Sequence, residues 1–217
     1  MRPLVDTVGP LQAQALASVA ANQTPGAGAA FTLNGTLASG GIATITPPAQ
    51  LIFTFAGNES ANSFTVTGLD QGGNAVSEVV PGVNIGTSTS VLTYSVVKSV
   101  VATNAAAANI EIGNTQSASS QWFRMDEWAI PNIGIGVDVS GTVNYTVQQS
   151  FDDPNSPTSP VAASAMHWIN CPDLSLVAAT VDAYAFYNFI PTWIRIVMNS
   201  GSGTVTMTAT QAGVVPK

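Results

Sequence analysis

The sequence predicts an all-β protein, with two β-sandwich or jelly-roll-like domains preceded by an extended N-terminal arm. Three observations predict it. Apolar and polar residues alternate at a period of two through many short segments. Clusters of Gly, Pro, Asn, Asp and Ser punctuate those segments roughly every 8–12 residues, the spacing of sandwich and barrel strands. Helical periodicity is nearly absent. The 217 residues leave room for two domains of the size that folds without disulfides or metals.

In chain order, residues 1–30 read as an Ala-rich arm ending in Gln23-Thr24-Pro25-Gly26-Ala27-Gly28. Leu11, Ala15 and Leu16 fall on one side of a short helix if one forms. The alternative is an extended segment that orders against a partner. Leu4, Leu11 and Leu16 are its candidate contacts. Residues 31–117 form the first β domain. Phe31 and Leu33 alternate with Thr32 and Asn34, and Ile42–Thr46 follows Gly40-Gly41. Pro47-Pro48 is expected to end that strand before Leu51–Phe55. Phe64, Val66 and Gly68 share one strand face, Thr65 and Thr67 the other. Asp70-Gln71-Gly72-Gly73-Asn74 supplies a hairpin turn, and Ala75–Val80 returns. Val91–Val101 is a β-branched run and Ile110–Ile112 the last strand. Ala105–Ala108 tolerates a helix but is too short to hold one.

The Ser/Gln/Asn-rich stretch Gly113–Gln121 marks the boundary, and residues 121–217 form the second domain. Ile133, Ile135, Val137 and Val139 alternate with Gly134, Gly136, Asp138 and Ser140. After Gly141, Val143, Tyr145 and Val147 alternate with polar residues, which predicts a hairpin with one apolar face. Asp152-Asp153-Pro154-Asn155-Ser156-Pro157 reads as a loop. A second hairpin is expected from Trp193–Asn199, the turn Ser200-Gly201-Ser202-Gly203 and Thr204–Gln211. In its last strand Thr204, Thr206, Thr208 and Thr210 face one way, and Val205, Met207 and Ala209 the other.

Composition narrows the function. Only 8% of residues are charged, against about a quarter in ordinary soluble domains. The net charge is −7, and the five bases Arg2, Lys98, Arg124, Arg195 and Lys217 are scattered. A nucleic-acid groove needs clustered bases to displace counterions, so no nucleic-acid partner is expected. No window approaches the ~18 apolar residues of a membrane helix, so no membrane partner is expected. Asp6, Pro10, Gln12 and Gln14 interrupt any signal-peptide core, so a signal peptide is not expected. The lone Cys171 forms no internal disulfide and fits synthesis in a reducing compartment.

Catalytic candidates are weak. His167 is the single histidine, no Gly-x-Ser-x-Gly elbow occurs, and Cys171 has no neighbouring cation to activate it. Asp152, Asp153 and Asn155 offer oxygen ligands without an EF-hand spacing, and a self-capping turn is the simpler reading. Asp126 and Glu127 are adjacent, so on a strand they point to opposite faces and do not form a glycosidase pair. No catalytic residue, metal or cofactor is therefore assigned. The aromatic residues carry more. Trp122, Arg124 and Trp128 are candidate interaction residues, since Trp and Arg are favoured interface anchors. Trp168 and Trp193 serve either a core or an exposed glycan-binding surface.

Phe64-Thr65-Val66-Thr67-Gly68-Leu69-Asp70 with Gly73-Asn74 and Glu78 resembles the hairpin of β-rich virion proteins of tailed bacteriophages. Val139–Gln148, Phe151-Asp152-Asp153-Pro154 and Ser202–Thr208 extend the resemblance over roughly residues 31–213. It implies a non-enzymatic virion structural protein, made in the host bacterial cytoplasm and carried on the particle. The expected role is a capsid decoration (cement) protein that binds the major capsid protein or other virion proteins as a homo-oligomer, a trimer being favoured. A head–tail connector or tail or fibre component is the alternative, and a glycan-binding surface module a further one.

Overall fold

The computed structural model describes residues 3–127 and 132–211. Its strands are β1 (Leu4–Val8), β2 (Ala15–Gln23), β3 (Ala38–Ser39), β4 (Ile42–Asn58), β5 (Ser63–Leu69), β6 (Ala75–Pro81), β7 (Asn84–Ala102), β8 (Ile110–Ser119), β9 (Phe123–Arg124), β10 (Ile133–Ser140), β11 (Val143–Ser150), β12 (Ile169–Asn170), β13 (Ala183–Tyr187), β14 (Trp193–Gly201) and β15 (Thr204–Gln211). Strand makes up 59%, the sheets are antiparallel with four and eleven strands, and neither closes into a barrel. The all-β class therefore stands. Among the described residues the helical content is two 3-10 turns, Ala163–Ala165 and Leu174–Leu176. The chain divides into two compact units, Gln12–Gln116 and Met1–Leu11 with Ser117–Lys217.

In the unit Gln12–Gln116, β5 and β6 form the expected hairpin, in register from Ser63↔Pro81 to Leu69↔Ala75. The Asp70 carboxylate closes the turn by accepting from the backbone N–H of Gly72 and Asn74, both at 2.8 Å, while Gly73 takes a φ of +77°. Phe64 and Val66 point inward and Thr65 and Thr67 do not. Phe64 lies 5.6 Å from Phe53, 5.4 Å from Phe55 and 6.1 Å from Phe31 between ring centroids, an aromatic centre for this core. Pro47-Pro48 does not end a strand. β4 runs through it and absorbs the missing N–H groups in a register shift between Thr44 and Ala49 against β7.

The unit Met1–Leu11 with Ser117–Lys217 has two layers. One sheet has the order β1-β15-β10-β13, and in the other β14 pairs with β11, β9 and the end of β8, while β12 pairs with β11. Ile133, Ile135, Val137, Val205, Met207 and Ala209 from the first layer meet Val143, Tyr145, Val147, Ile194, Ile196 and Met198 from the second in one buried core. Each fully buried side chain of this kind contributes about 1.5–3 kcal/mol. A one-residue slip of β10 would exchange its isoleucines for Gly134 and Gly136, so burial fixes the register.

Two expectations fail here. The segments 133–149 and 193–211 are not hairpins: β10 and β11 lie in opposite sheets, and so do β14 and β15. Each strand pair turns a corner between layers instead. The corners Ser140–Thr142 and Gly201–Gly203 lie against each other, with Ser202 N–H and Gly203 N–H donating to the Thr142 carbonyl at 3.0 and 2.9 Å. Alternation specifies which face is apolar, and a corner and a hairpin satisfy it equally.

The N-terminal arm also fails. Residues 4–8 are β1, paired with β15 from Leu4↔Ala209 to Val8↔Val205, and residues 15–23 are β2, paired with β8. Their backbone groups are thus used within the chain. Leu4 and Leu11 pack on the core of their own unit, and Leu16 remains 42% exposed on β2. The alanines of β2 allow a close approach to β8, where a Cβ on Gly113 would lie 1.7 Å from the Ala15 carbonyl oxygen.

Candidate functional site

The four-stranded sheet presents an outer face almost without charge. Register places its outward residues in rows: Thr210, Gly134 and Phe186; then Val5, Thr208, Gly136 and Tyr184; then Thr7, Thr206 and Asp138. Asp138 is the single ionisable side chain in these rows apart from the Tyr184 phenol. The Thr7 and Thr206 hydroxyls are hydrogen-bonded at 2.8 Å. At the sheet's end strand β13, Tyr184 is 86% and Phe186 74% exposed, while the small Ala185 between them fills the inward position. The neighbouring Gly136 has open space where a Cβ would stand, so the rings rise beside a low glycine floor. Sequence reading missed both aromatics. The signal was present in Ala183-Tyr184-Ala185-Phe186, but burial of aromatic residues is the usual arrangement.

A second feature lies on the opposite layer of the same unit. On β14, Ile194, Ile196 and Met198 are buried, so Trp193 and Arg195 take the other face. Trp122 lies 5.2 Å from Trp168 and 6.2 Å from Trp193 between ring centroids. The Arg124 guanidinium sits 5.5 Å from the Trp193 centroid and pairs with Asp153 at 2.9 Å. The Arg195 guanidinium lies 4.0 Å from the Trp168 centroid and donates from Nε and Nη2 to Gln148 Oε1 at 3.0 and 2.8 Å. Burial pulls the Arg195 guanidinium down to about 10. Of the residues proposed from sequence, Trp122 and Arg124 join this cluster together with Trp168 and Trp193. Leu4, Leu11 and Leu16 do not, and Trp128 lies outside the described residues.

Beside Arg124 opens a polar groove of about 430 Å³, lined by residues including Glu127, Phe151, Asp152, Asp153, Ser156 and Thr192. Two of its acids, Asp152 and Asp153, serve the local backbone. Asp153 accepts from Asn155 N–H at 2.9 Å, and Asp152 from His167 N–H at 2.6 Å. The His167 side chain is 92% exposed, with Asp152 at 3.8 Å from Nδ1, and Cys171 is buried in the core. Among the described residues, no three His, Cys, Asp or Glu side chains come together as a metal site, and no helix is long and apolar enough to cross a membrane.

Glu78 is a buried acidic residue on β6. Its face of β6 points inward, where its carboxylate accepts from the N–H groups of Val91 (2.9 Å) and Leu92 (3.3 Å) and from the Tyr94 hydroxyl (3.0 Å). Burial raises its pKa, against the lowering effect of those bonds. The arrangement holds the middle of β7 in place and leads to no surface chemistry.

No family model, no curated protein and no solved structure matches this chain.

Proposed function

We propose that this chain is a non-enzymatic structural protein of a phage virion, a decoration (cement) protein whose two β-sandwich-like units bind the particle surface, with the major capsid protein as partner and self-association, a trimer being favoured, as part of the assembly. The observation that carries this reading is the outer face of the four-stranded sheet, where Tyr184 and Phe186 stand exposed on a floor of glycine and threonine with one carboxylate. Large exposed aromatic residues mark surfaces that become covered, and such a face has little charge to desolvate on contact. The low overall charge and the resemblance of the hairpin sequences to phage virion proteins support the same conclusion.

Purified particles test it. A decoration protein is present in many copies per particle by quantitative gel, whereas a connector is present in few. Tyr184→Ser combined with Phe186→Ser leaves the core untouched. It removes side chains of the size that act as hot spots, together worth about 2 kcal/mol or more, so binding to particles should fall at least about 30-fold. Unchanged occupancy of the double variant would refute the assignment of this face. The same exposed rings favour a second reading, a glycan-binding module. Retention of neutral glycans on an array by the wild-type chain, lost in the double variant, would select it.

A further inference from the structure

Arg124 and Arg195 both lie on tryptophan rings of one cluster, but only one of them is neutralised. Arg124 has Asp153 at 2.9 Å. Arg195 has no carboxylate against it among the described residues, and its two hydrogen bonds share one acceptor, Gln148 Oε1. A guanidinium carries five N–H donors, so three are left without a protein acceptor. The indole N–H groups of Trp122 and Trp193 are buried without an acceptor and closed to a partner's side chain, so the open donors of the cluster are those of Arg195. A cation with unfilled donors of its own is complementary to a group that is anionic and rich in acceptors. A carboxylate fits the guanidinium fork in plane. A guanidinium lies over Trp168 and another over Trp193, so the cluster offers guanidinium N–H groups more than open ring faces. That favours a side-chain carboxylate over a sugar ring.

We propose that the cluster of Trp122, Trp168, Trp193 and Arg195 is a docking site for an Asp or Glu side chain presented by another protein of the particle. This rests on the structural-protein reading above. The occupant's carboxylate forks onto Arg195 and brings the counter-ion that Arg195 lacks within a chain of net charge −7.

Wild type, Arg195→Gln and Arg195→Lys are each added to particles stripped of this protein, and bound chain is measured against free concentration. Removing one partner of a buried charge pair weakens binding about 30-fold or more, so Arg195→Gln should show that loss. Arg195→Lys keeps the charge without the fork and falls between. The melting temperature of Arg195→Gln should stay level or rise, because an uncompensated cation has been removed. Equal binding of Arg195→Gln overturns the proposal, and so does weakened binding that tracks a lowered melting temperature. If Arg195→Gln leaves particle binding intact but disperses a self-associated form in sedimentation, the occupant is a second copy and the proposal falls. Failure of the wild type itself to bind stripped particles overturns the underlying reading instead, and the docking assignment with it.

Discussion

Replacing Gly203 by alanine tests the corner that joins the two layers around the Ile133–Met207 core. An added Cβ would stand 2.1 Å from the Ser140 carbonyl oxygen, 2.9 Å from the Gly141 carbonyl carbon and 3.0 Å from the Thr142 nitrogen. All three are backbone atoms, so no rotamer change relieves the clash and the two corners must move apart. That movement stretches the bonds from Ser202 N–H and Gly203 N–H to the Thr142 carbonyl. Overpacking costs about 1–3 kcal/mol and a lost hydrogen bond about 1 kcal/mol, which gives about 2–4 kcal/mol in all. At about 2–4 °C per kcal/mol for a chain of this length, the melting temperature falls by about 4–16 °C. Gly136→Ala is the control. It lies in the same sheet with nothing within 4 Å of its added Cβ, and filling a strand glycine there gains about 0.5–1 kcal/mol. Calorimetry of the two variants at one pH separates them. If Gly203→Ala melts within about 2 °C of wild type, or if both variants shift alike, the corner is not closed by backbone contact.

Two further outcomes follow from buried and paired groups. Burial raises the Glu78 pKa, so the folded state holds this proton more tightly than the unfolded one. Its stabilising contribution is complete below the unfolded carboxyl value and is lost as pH rises through the folded one, with a slope of at most about 1.4 kcal/mol per pH unit. Glu78→Gln keeps an acceptor for Val91 and Leu92 without the charge. It should gain on wild type as pH rises from about 4 to about 7, and parallel melting curves across that range would refute this account. Deleting residues 1–8 removes β1 from the edge of β15 and the buried Val8. The loss of that one side chain is about 1.5–3 kcal/mol, and the uncovered edge should aggregate on size-exclusion chromatography. A shortened chain as stable and monodisperse as the full one would show that β1 is dispensable.

The sequence made faces legible and partners illegible. Alternation identified Ile133, Ile135 and Val137 as inward, set Val205, Met207 and Ala209 opposite the threonines, and placed Phe64 and Val66 in the core, because the side-chain period of a strand is local. The β5–β6 hairpin was legible for a further reason: Asp70 and Gly73 carry turn chemistry that closes it. The corners at Ser140–Thr142 and Gly201–Gly203 carry the same Gly/Ser composition as hairpin turns, and only the packing of two layers decides between the two. β2 was missed because alanine is a poor strand former, and its value there is a close backbone approach that only tertiary structure supplies, whereas β1, Leu4-Val5-Asp6-Thr7-Val8, has strand-forming residues but a partner, β15, at the far end of the sequence. The tryptophan cluster was half legible. Trp122 and Arg124 stood out as a pair, but Trp168 and Arg195 join them from distant segments.

The low charge acquires a structural meaning once the acids are placed. Asp6, Glu59, Asp70, Glu78, Asp152, Asp153, Asp173 and Asp182 each accept a hydrogen bond from a backbone N–H group. Eight of the twelve acids therefore close turns or hold segments whose donors have no strand opposite them. Glu59, buried beside Asn62, takes the Ala107 N–H at 2.6 Å, and Asp182 takes the N–H of Val139 at 2.7 Å. A carboxylate with its lone pairs turned to the backbone contributes less to the solvation of an outer sheet face than a free one. Threonine hydroxyls occupy that role on β15, and they carry no charge that contact must desolvate. Most of the acids thus serve the fold, and the rows of the four-stranded sheet's outer face keep one, Asp138. Against that background Arg195 stands apart as a partly buried cation with no carboxylate against it and an incomplete set of acceptors, which is why a second contact is assigned there in addition to the sheet face of Tyr184 and Phe186.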